Sequence, residues 1–167
     1  MEPYDLDLLR HDLAAWMEAR FLEPIAYVEG GWEYWIQIDF VAWLDNEKHT
    51  VYDFRREIPA QGGRLDWVIN SGYPESLTAI EIKAQTPKYK TDAFVADVWA
   101  DVVWLAGLDG FAHRGMLAAA VDAKAAELLE GLGFQRIVLV NNAALYFRAV
   151  QAGEKLTPEA LLAIASA

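Results

Sequence analysis

Apolar positions in the first part of the chain fall into two helical stripes and then switch to an alternating pattern. From Tyr4 to Leu22, residues Leu6, Leu9, Leu13, Trp16 and Met17 follow three- and four-residue steps. This predicts an amphipathic helix capped by Asp5 and ended by Pro24. Between Trp32 and Leu44, residues Trp32, Trp35, Ile36, Phe40, Trp43 and Leu44 lie on one helical stripe. Ile36, Ile38 and Phe40 also alternate with Gln37 and Asp39 as in a strand, and length favours the helix. Thr50 to Pro59 reads as a strand, Gln61-Gly62-Gly63 as a turn and Arg64 to Asn70 as a second strand. The stretch Asn70 to Pro74 is the next turn, and Leu77 to Gln85 the third strand.

Thr91 to Leu108 is a helix opened by Thr91-Asp92 and closed near Gly107. Its broad apolar stripe (Phe94, Val95, Val98, Trp99, Val102, Val103, Leu105) predicts deep burial. Met116 to Val121 reads as an inner strand, Ala123 to Leu132 as a helix closed by Gly133, and Arg136 to Val140 as a further strand with Leu145 to Val150 beside it. Thr157 and Pro158 start a last short helix over 157–165, with Leu161, Leu162 and Ile164 as its apolar side. Three consecutive strands suit an antiparallel meander, and the later strand–helix–strand section suits a parallel crossover. The expected fold is α/β, a mixed central sheet flanked by helices on both faces, in one domain over residues 1–167. No repeat or low-complexity segment interrupts it.

Composition narrows the class. An apolar share of 54% and seven tryptophans mark a globular chain. With no cysteine, disulfides, zinc–thiolate sites and thiol catalysis are excluded. The acidic start Met-Glu-Pro-Tyr-Asp lacks the features of a signal peptide, and no run approaches the ~20 apolar residues that span a bilayer. A soluble, cytoplasmic protein without a membrane partner is the expectation.

The candidate chemistry lies in the second and third strands. In Ile80-Glu81-Ile82-Lys83, alternation buries the two isoleucines on one face and sets Glu81 beside Lys83 on the other. Asp66 precedes Glu81 by one strand, a turn and half a strand, a separation that brings both carboxylates into one hairpin. Two carboxylates and an ammonium together suit a divalent metal and a water nucleophile.

This pattern resembles the core of the PD-(D/E)XK nuclease superfamily, from about Gly31 to Val150. An Asp at the start or bend of one strand and a Glu-x-Lys on the next match Asp66 and Glu81-Ile82-Lys83, while Leu65 stands where the superfamily's name has proline. The resemblance implies a restriction-endonuclease-like fold and metal-dependent hydrolysis of nucleic acid, with DNA the first expectation. It implies Mg²⁺ (or Mn²⁺) held by Asp66, Glu81 and the Ile82 carbonyl, with Glu33 on the preceding helix as a further acid. Lys83 would orient the attacking water or stabilise charge on phosphate. Gln85 would share its sheet face and contact substrate or water, and Lys88 and Lys90 would meet phosphates. Glu33 has an equally good reading as an acid favoured by the helix dipole. Asp97 and Asp101 share a helix face and read as a polar edge.

Net charge is −11, unfavourable for phosphate binding. The segment from Arg55 to Lys90 nevertheless carries six basic residues (Arg55, Arg56, Arg64, Lys83, Lys88, Lys90) against four acidic ones. The expected nucleic-acid surface therefore includes Arg55, Arg56, Arg64, Lys88 and Lys90. The acidic remainder supports a rival expectation: a non-catalytic protein on the same scaffold, immunity- or inhibitor-like, or an oligomeric interaction module. A homodimer or protein partner stays open, and an exposed subset of tryptophans would suit a dimer face. Isolated His11, His49 and His113 match no metal-ligand spacing, and the glycines match neither a P-loop nor a dinucleotide fingerprint.

Overall fold

The computed structural model describes residues 2–20, 32–48 and 53–155. In chain order these form α1 (Leu6–Arg20), α2 (Trp32–Lys48), β1 (Phe54–Ala60), β2 (Gly63–Ile69), β3 (Thr78–Ala84), α3 (Thr91–Ala106), β4 (His113–Ala120), α4 (Ala123–Gly131), β5 (Gln135–Val140) and β6 (Ala143–Ala149). The helix end expected at Leu22 and Pro24, the strand start at Thr50 and the helix over 157–165 lie outside the described residues. The segment open between helix and strand is helical and runs to Lys48. Its apolar residues Trp32, Ile36, Phe40, Trp43 and Leu44 are all buried. Among the described residues no helix is long and apolar enough to cross a membrane.

The six strands form one mixed sheet in the order β1-β2-β3-β4-β6-β5. β1, β2 and β3 make the expected antiparallel meander, and α3 carries the chain over to β4, which pairs parallel to β3. Register from Thr78–His113 to Ala84–Ala119 starts β4 three residues before Met116, because Arg114 and Gly115 are buried in the ladder. α4 then leads to β5, and β6 turns back to lie between β4 and β5. That hairpin turns on Asn141 and Asn142, with φ of 48° and 66°. Two successive positive φ values match the twist of a two-residue hairpin, and asparagine tolerates them better than most residues. β6 accordingly begins at Ala143, two residues before the expected Leu145.

A hydrophobic core lies on each face of the sheet. One gathers α1 and α2 with Trp67, Ile69, Ile80, Ile82 and Phe147; the other gathers α3 and α4 with Leu65, Val68, Ala79, Met116 and Tyr146. Rings dominate the first, where Phe40, Phe54 and Trp67 contact one another at 5.4–6.1 Å between centroids. All seven tryptophans are buried or half-buried.

Gly115 is required by packing. A Cβ there would lie 2.5 Å from Phe147 Cζ and 2.8 Å from Ile80 Cδ1, so the ring or the strand must move. Gly115→Ala is expected to destabilise the fold by about 1–3 kcal/mol, as overpacked cores do. Urea unfolding measures this, and an unchanged midpoint would show that the ring has room to shift.

Candidate active site

The site begins where β2 leaves β3. Their pairing covers Ile69–Thr78, Val68–Ala79 and Trp67–Ile80 and goes no further, whereas β3 stays paired to β4 as far as Ala84. The cause lies in β2. Leu65 belongs to the core under α3, and Trp67 to the core under α2. Residues two apart in a regular strand share a face, so alternation breaks at Asp66. Across β1 the matching position between the Arg56–Trp67 and Ile58–Leu65 pairs is Glu57, whose φ of 54° is rare for a residue with a side chain.

Parting the strands strips the β2 edge of β3 of backbone partners beyond Ile80, and two side chains replace them. Asp66 Oδ2 accepts from the Ile82 N–H at 2.7 Å. Glu33 Oε2 accepts from the Ala84 N–H at 3.1 Å. Glu33 is brought there by Trp32, whose indole N–H donates to the Gln85 carbonyl at 2.8 Å and pins the start of α2 to the end of β3. Further along α2, the Trp67 indole N–H donates to the Gln37 carbonyl at 3.2 Å. The Gln37 amide donates to Asp66 Oδ1 at 2.5 Å and accepts from Arg56 Nη2 at 2.7 Å.

Glu81 and Lys83 project on the α3 side of β3, as alternation predicts, but that side is covered rather than solvated. Glu81 is only 7% exposed, and its Oε1 accepts from the Asp66 N–H at 3.3 Å. Lys83 Nζ lies 3.1 Å from Asp101 Oδ2 on α3. Asp101 is therefore the lysine's partner and not the polar edge expected from its helix position. An acid within the apolar run of α3 was the available signal. Glu33, Asp66, Glu57 and Gln37 line a cleft of about 400 Å³, together with Tyr34 and the Thr86–Tyr89 turn.

The expected residues thus divide. Asp66, Glu81, Lys83 and Glu33 gather around the parted strands. Gln85 does not join them. It is 1% exposed, its Oε1 accepts from the Val121 N–H at 3.0 Å, and its amide donates to Asp122, the residue capping α4. Gln85 ties β3 to the β4–α4 junction, a correction that follows from β3 ending at Ala84. Of the basic residues, Arg56 joins Gln37, and Arg64 pairs with Glu57 at 3.8 Å. Arg55 pairs with Asp53 at 3.2 Å, and Lys88 and Lys90 are exposed on either side of Tyr89.

Burial sets the electrostatics. It pushes Asp66 up to about 6, with the Glu33 charge adding and the Ile82 N–H opposing. It pushes Glu81 up to about 9, reinforced by the charges of Asp66 and Asp101. Glu33 and Asp101 are raised by burial too, each partly offset by Lys83. Burial alone would lower Lys83, but the charges of Asp101 and Glu33 outweigh it and hold the ammonium well above its ordinary value. Lys83 is therefore a fixed cation and not a base.

Among the described residues, no group of three or more His, Asp or Glu is arranged to hold a metal ion. The donors at the parted strands are all oxygen. In an extended strand the N–H and C=O of one residue point to the same edge, so the Ile82 carbonyl faces the gap that Asp66 enters. Two carboxylates and a carbonyl suit a hydrated Mg²⁺, which commonly takes one or two carboxylates and keeps several waters. Comparison with family models finds no match, and neither curated proteins nor solved structures give one.

Because folding raises both pKa values, the folded protein keeps protons that the unfolded chain releases above about 3.8 and 4.5. Without divalent metal, stability should fall as pH rises through this window and level off above about 9. Glu81→Gln keeps an acceptor for the Asp66 N–H and removes the charge. It is expected to flatten that decline and to raise Tm at about pH 8, by about 2–4 °C for each kcal/mol relieved. Calorimetry across pH measures it; a variant profile parallel to wild type would show that Glu81 carries no charge penalty.

Proposed function

We propose that the parted strands form the active site of a cytoplasmic, metal-dependent nuclease with a restriction-endonuclease-like fold, hydrolysing phosphodiester bonds of DNA. The observation that carries the reading is the convergence of Asp66, Glu81 and the Ile82 carbonyl edge beside the cationic Lys83, at the break where β2 leaves β3. The six-stranded mixed sheet with helices on both faces supports it.

Asp66, Glu81 and the Ile82 carbonyl would hold Mg²⁺ or Mn²⁺, and Glu33 adds negative charge from the α2 side. When bound, such an ion lowers the pKa of a coordinated water and neutralises the scissile phosphate. Lys83, held charged by Asp101, orients the attacking water and stabilises the phosphate oxygens as charge builds on them. Gln37, tied to Arg56, holds the Asp66 carboxylate through a hydrogen bond to Oδ1. Lys88 and Lys90, exposed on either side of the cleft-lining Tyr89, would meet the phosphate backbone.

A second reading draws on the −11 net charge and on the carboxylates already paired with Arg55, Arg64 and Lys83. In it the same scaffold is a non-catalytic, immunity-like protein whose acidic surface covers a basic groove on a partner.

Mg²⁺ is expected to stabilise the wild-type protein by about 2.7 kcal/mol at a hundredfold excess over Kd. Asp66→Ala and Glu81→Ala should each abolish that response while still folding. Lys83→Met should keep the metal response and lose phosphodiester hydrolysis by about a hundredfold or more, as loss of one charge-stabilising donor does. Melting curves with and without Mg²⁺, and cleavage of single-stranded, duplex and branched substrates, read the outcome. A metal response unchanged in both carboxylate variants would sink the site. Wild-type protein that cleaves nothing with Mg²⁺ or Mn²⁺, and co-purifies with a stable partner, would favour the second reading.

A further inference from the structure

One aromatic ring at the cleft is largely exposed. Tyr34, one residue after Glu33 on α2, is 58% exposed and lines the cleft beside Asp66. The ring is not idle: the Arg56 guanidinium lies 4.8 Å from its centroid. Glu33 and Glu57 line the same cleft, yet Arg56 is set against Tyr34 and Gln37. Arg56 is half-buried, and its Nε is fully buried without a hydrogen-bond partner. Cation–π attraction between the guanidinium and the ring favours this arrangement of the pair. The arrangement extends to the chemistry, because Arg56 donates to Gln37 and Gln37 donates to Asp66. Tyr34 is thus coupled through one guanidinium and one amide to the carboxylate at the break in β2.

We propose that Tyr34, backed by Arg56, is a stacking platform for one unpaired base of the substrate strand. This rests on the nuclease reading and narrows it: the cleft takes single-stranded DNA, or duplex ends and junctions with a base free to unstack. A flat ring beside an acidic cleft recognises a base by its π-face, which carries no charge, and so suits a protein with few cations to offer phosphates. The base on Tyr34 sets the register of the strand, and the Tyr34–Arg56–Gln37–Asp66 chain holds that register relative to the scissile bond. The platform is indifferent to which base it holds, since every base presents a π-face.

The test uses full-length protein with Ca²⁺ in place of Mg²⁺ to suppress cleavage. The probes are a short single-stranded DNA and an oligomer of equal length made wholly of abasic sites, which keeps the phosphates and removes every base. Wild type should bind the base-bearing strand about tenfold or more tightly than the abasic one, the loss typical of one stacked base. Tyr34→Ala should erase that difference and leave the salt dependence unchanged, because no phosphate contact is lost. Tyr34→Phe should retain it. Equal binding of both probes by wild type, or full base preference in Tyr34→Ala, overturns the platform. If wild type still cleaves DNA in Mg²⁺ in that case, the nuclease reading stands without it. Wild type that neither binds nor cleaves any strand removes both. A shift from dimer to monomer in Tyr34→Ala, with base preference intact, would assign Tyr34 and the nearby exposed Ile38 to self-association and also overturn the platform.

Discussion

An inner strand of a sheet must have both edges paired, and β3 meets that demand only in its first half. Beyond the Trp67–Ile80 pair its β4 edge stays in register, while its β2 edge has no strand beside it. A buried N–H without an acceptor costs roughly 1–3 kcal/mol, so Ile82 and Ala84 need acceptors from elsewhere. Asp66 and Glu33 supply them from different elements, one on the departing strand and one on α2. The placement of α2 follows, since Trp32 and Trp67 must pin that helix where Glu33 can reach. The twist at Glu57 and Asp66 follows as well, because β2 must turn its next apolar residue, Leu65, to the opposite core.

This constraint concentrates acidic side chains. Three acids meet around one strand end, and a fourth, Asp101, faces them from α3 beside Lys83. Each carboxylate gains a hydrogen bond from the backbone or an ion pair, but burial raises all four pKa values despite those partners. Charged groups held with raised pKa values in a cleft are costly as pure structure, and such sites are enriched in function. The exposed ion pairs elsewhere, such as Arg10 with Asp7, contribute little by comparison.

Much of the fold was legible because its helices carry apolar stripes and its third strand alternates apolar with polar residues. The stripe on α3 and the alternation of Ile80 and Ile82 against Glu81 and Lys83 needed no tertiary information. The β5–β6 hairpin was harder, since its Asn141-Asn142 turn depends on two positive φ values and not on polarity. In the site, residue types announced Asp66, Glu81 and Lys83. Their surroundings were not announced. Leu65, Trp67, Val68 and Ile69 cannot all obey one alternation, and only packing decides where it breaks. Gln85 sits at the right parity to follow Lys83, yet the strand ends before it and α4 takes its amide. Asp101 is ten residues into an apolar helix, where its partner depends on how α3 crosses the sheet.

The hydrogen bonds that hold the acids in place do not compete with a role in binding a cation. Each carboxylate oxygen has two lone pairs, so Asp66 can accept from the Ile82 N–H and the Gln37 amide and still present lone pairs to the cleft. Glu81 accepts one bond from the Asp66 backbone and is similarly placed. Those bonds fix the carboxylates before any ligand arrives, which reduces the ordering cost of binding. A cation between Asp66 and Glu81 would also offset the burial that raises their pKa values and the neighbouring negative charge that adds to it, so the same feature that burdens the metal-free fold would become a source of affinity. On the proposed reading, stability and function pull in opposite directions at the parted strands, and Lys83 with Asp101 is the neutral pair that lets one fold carry both.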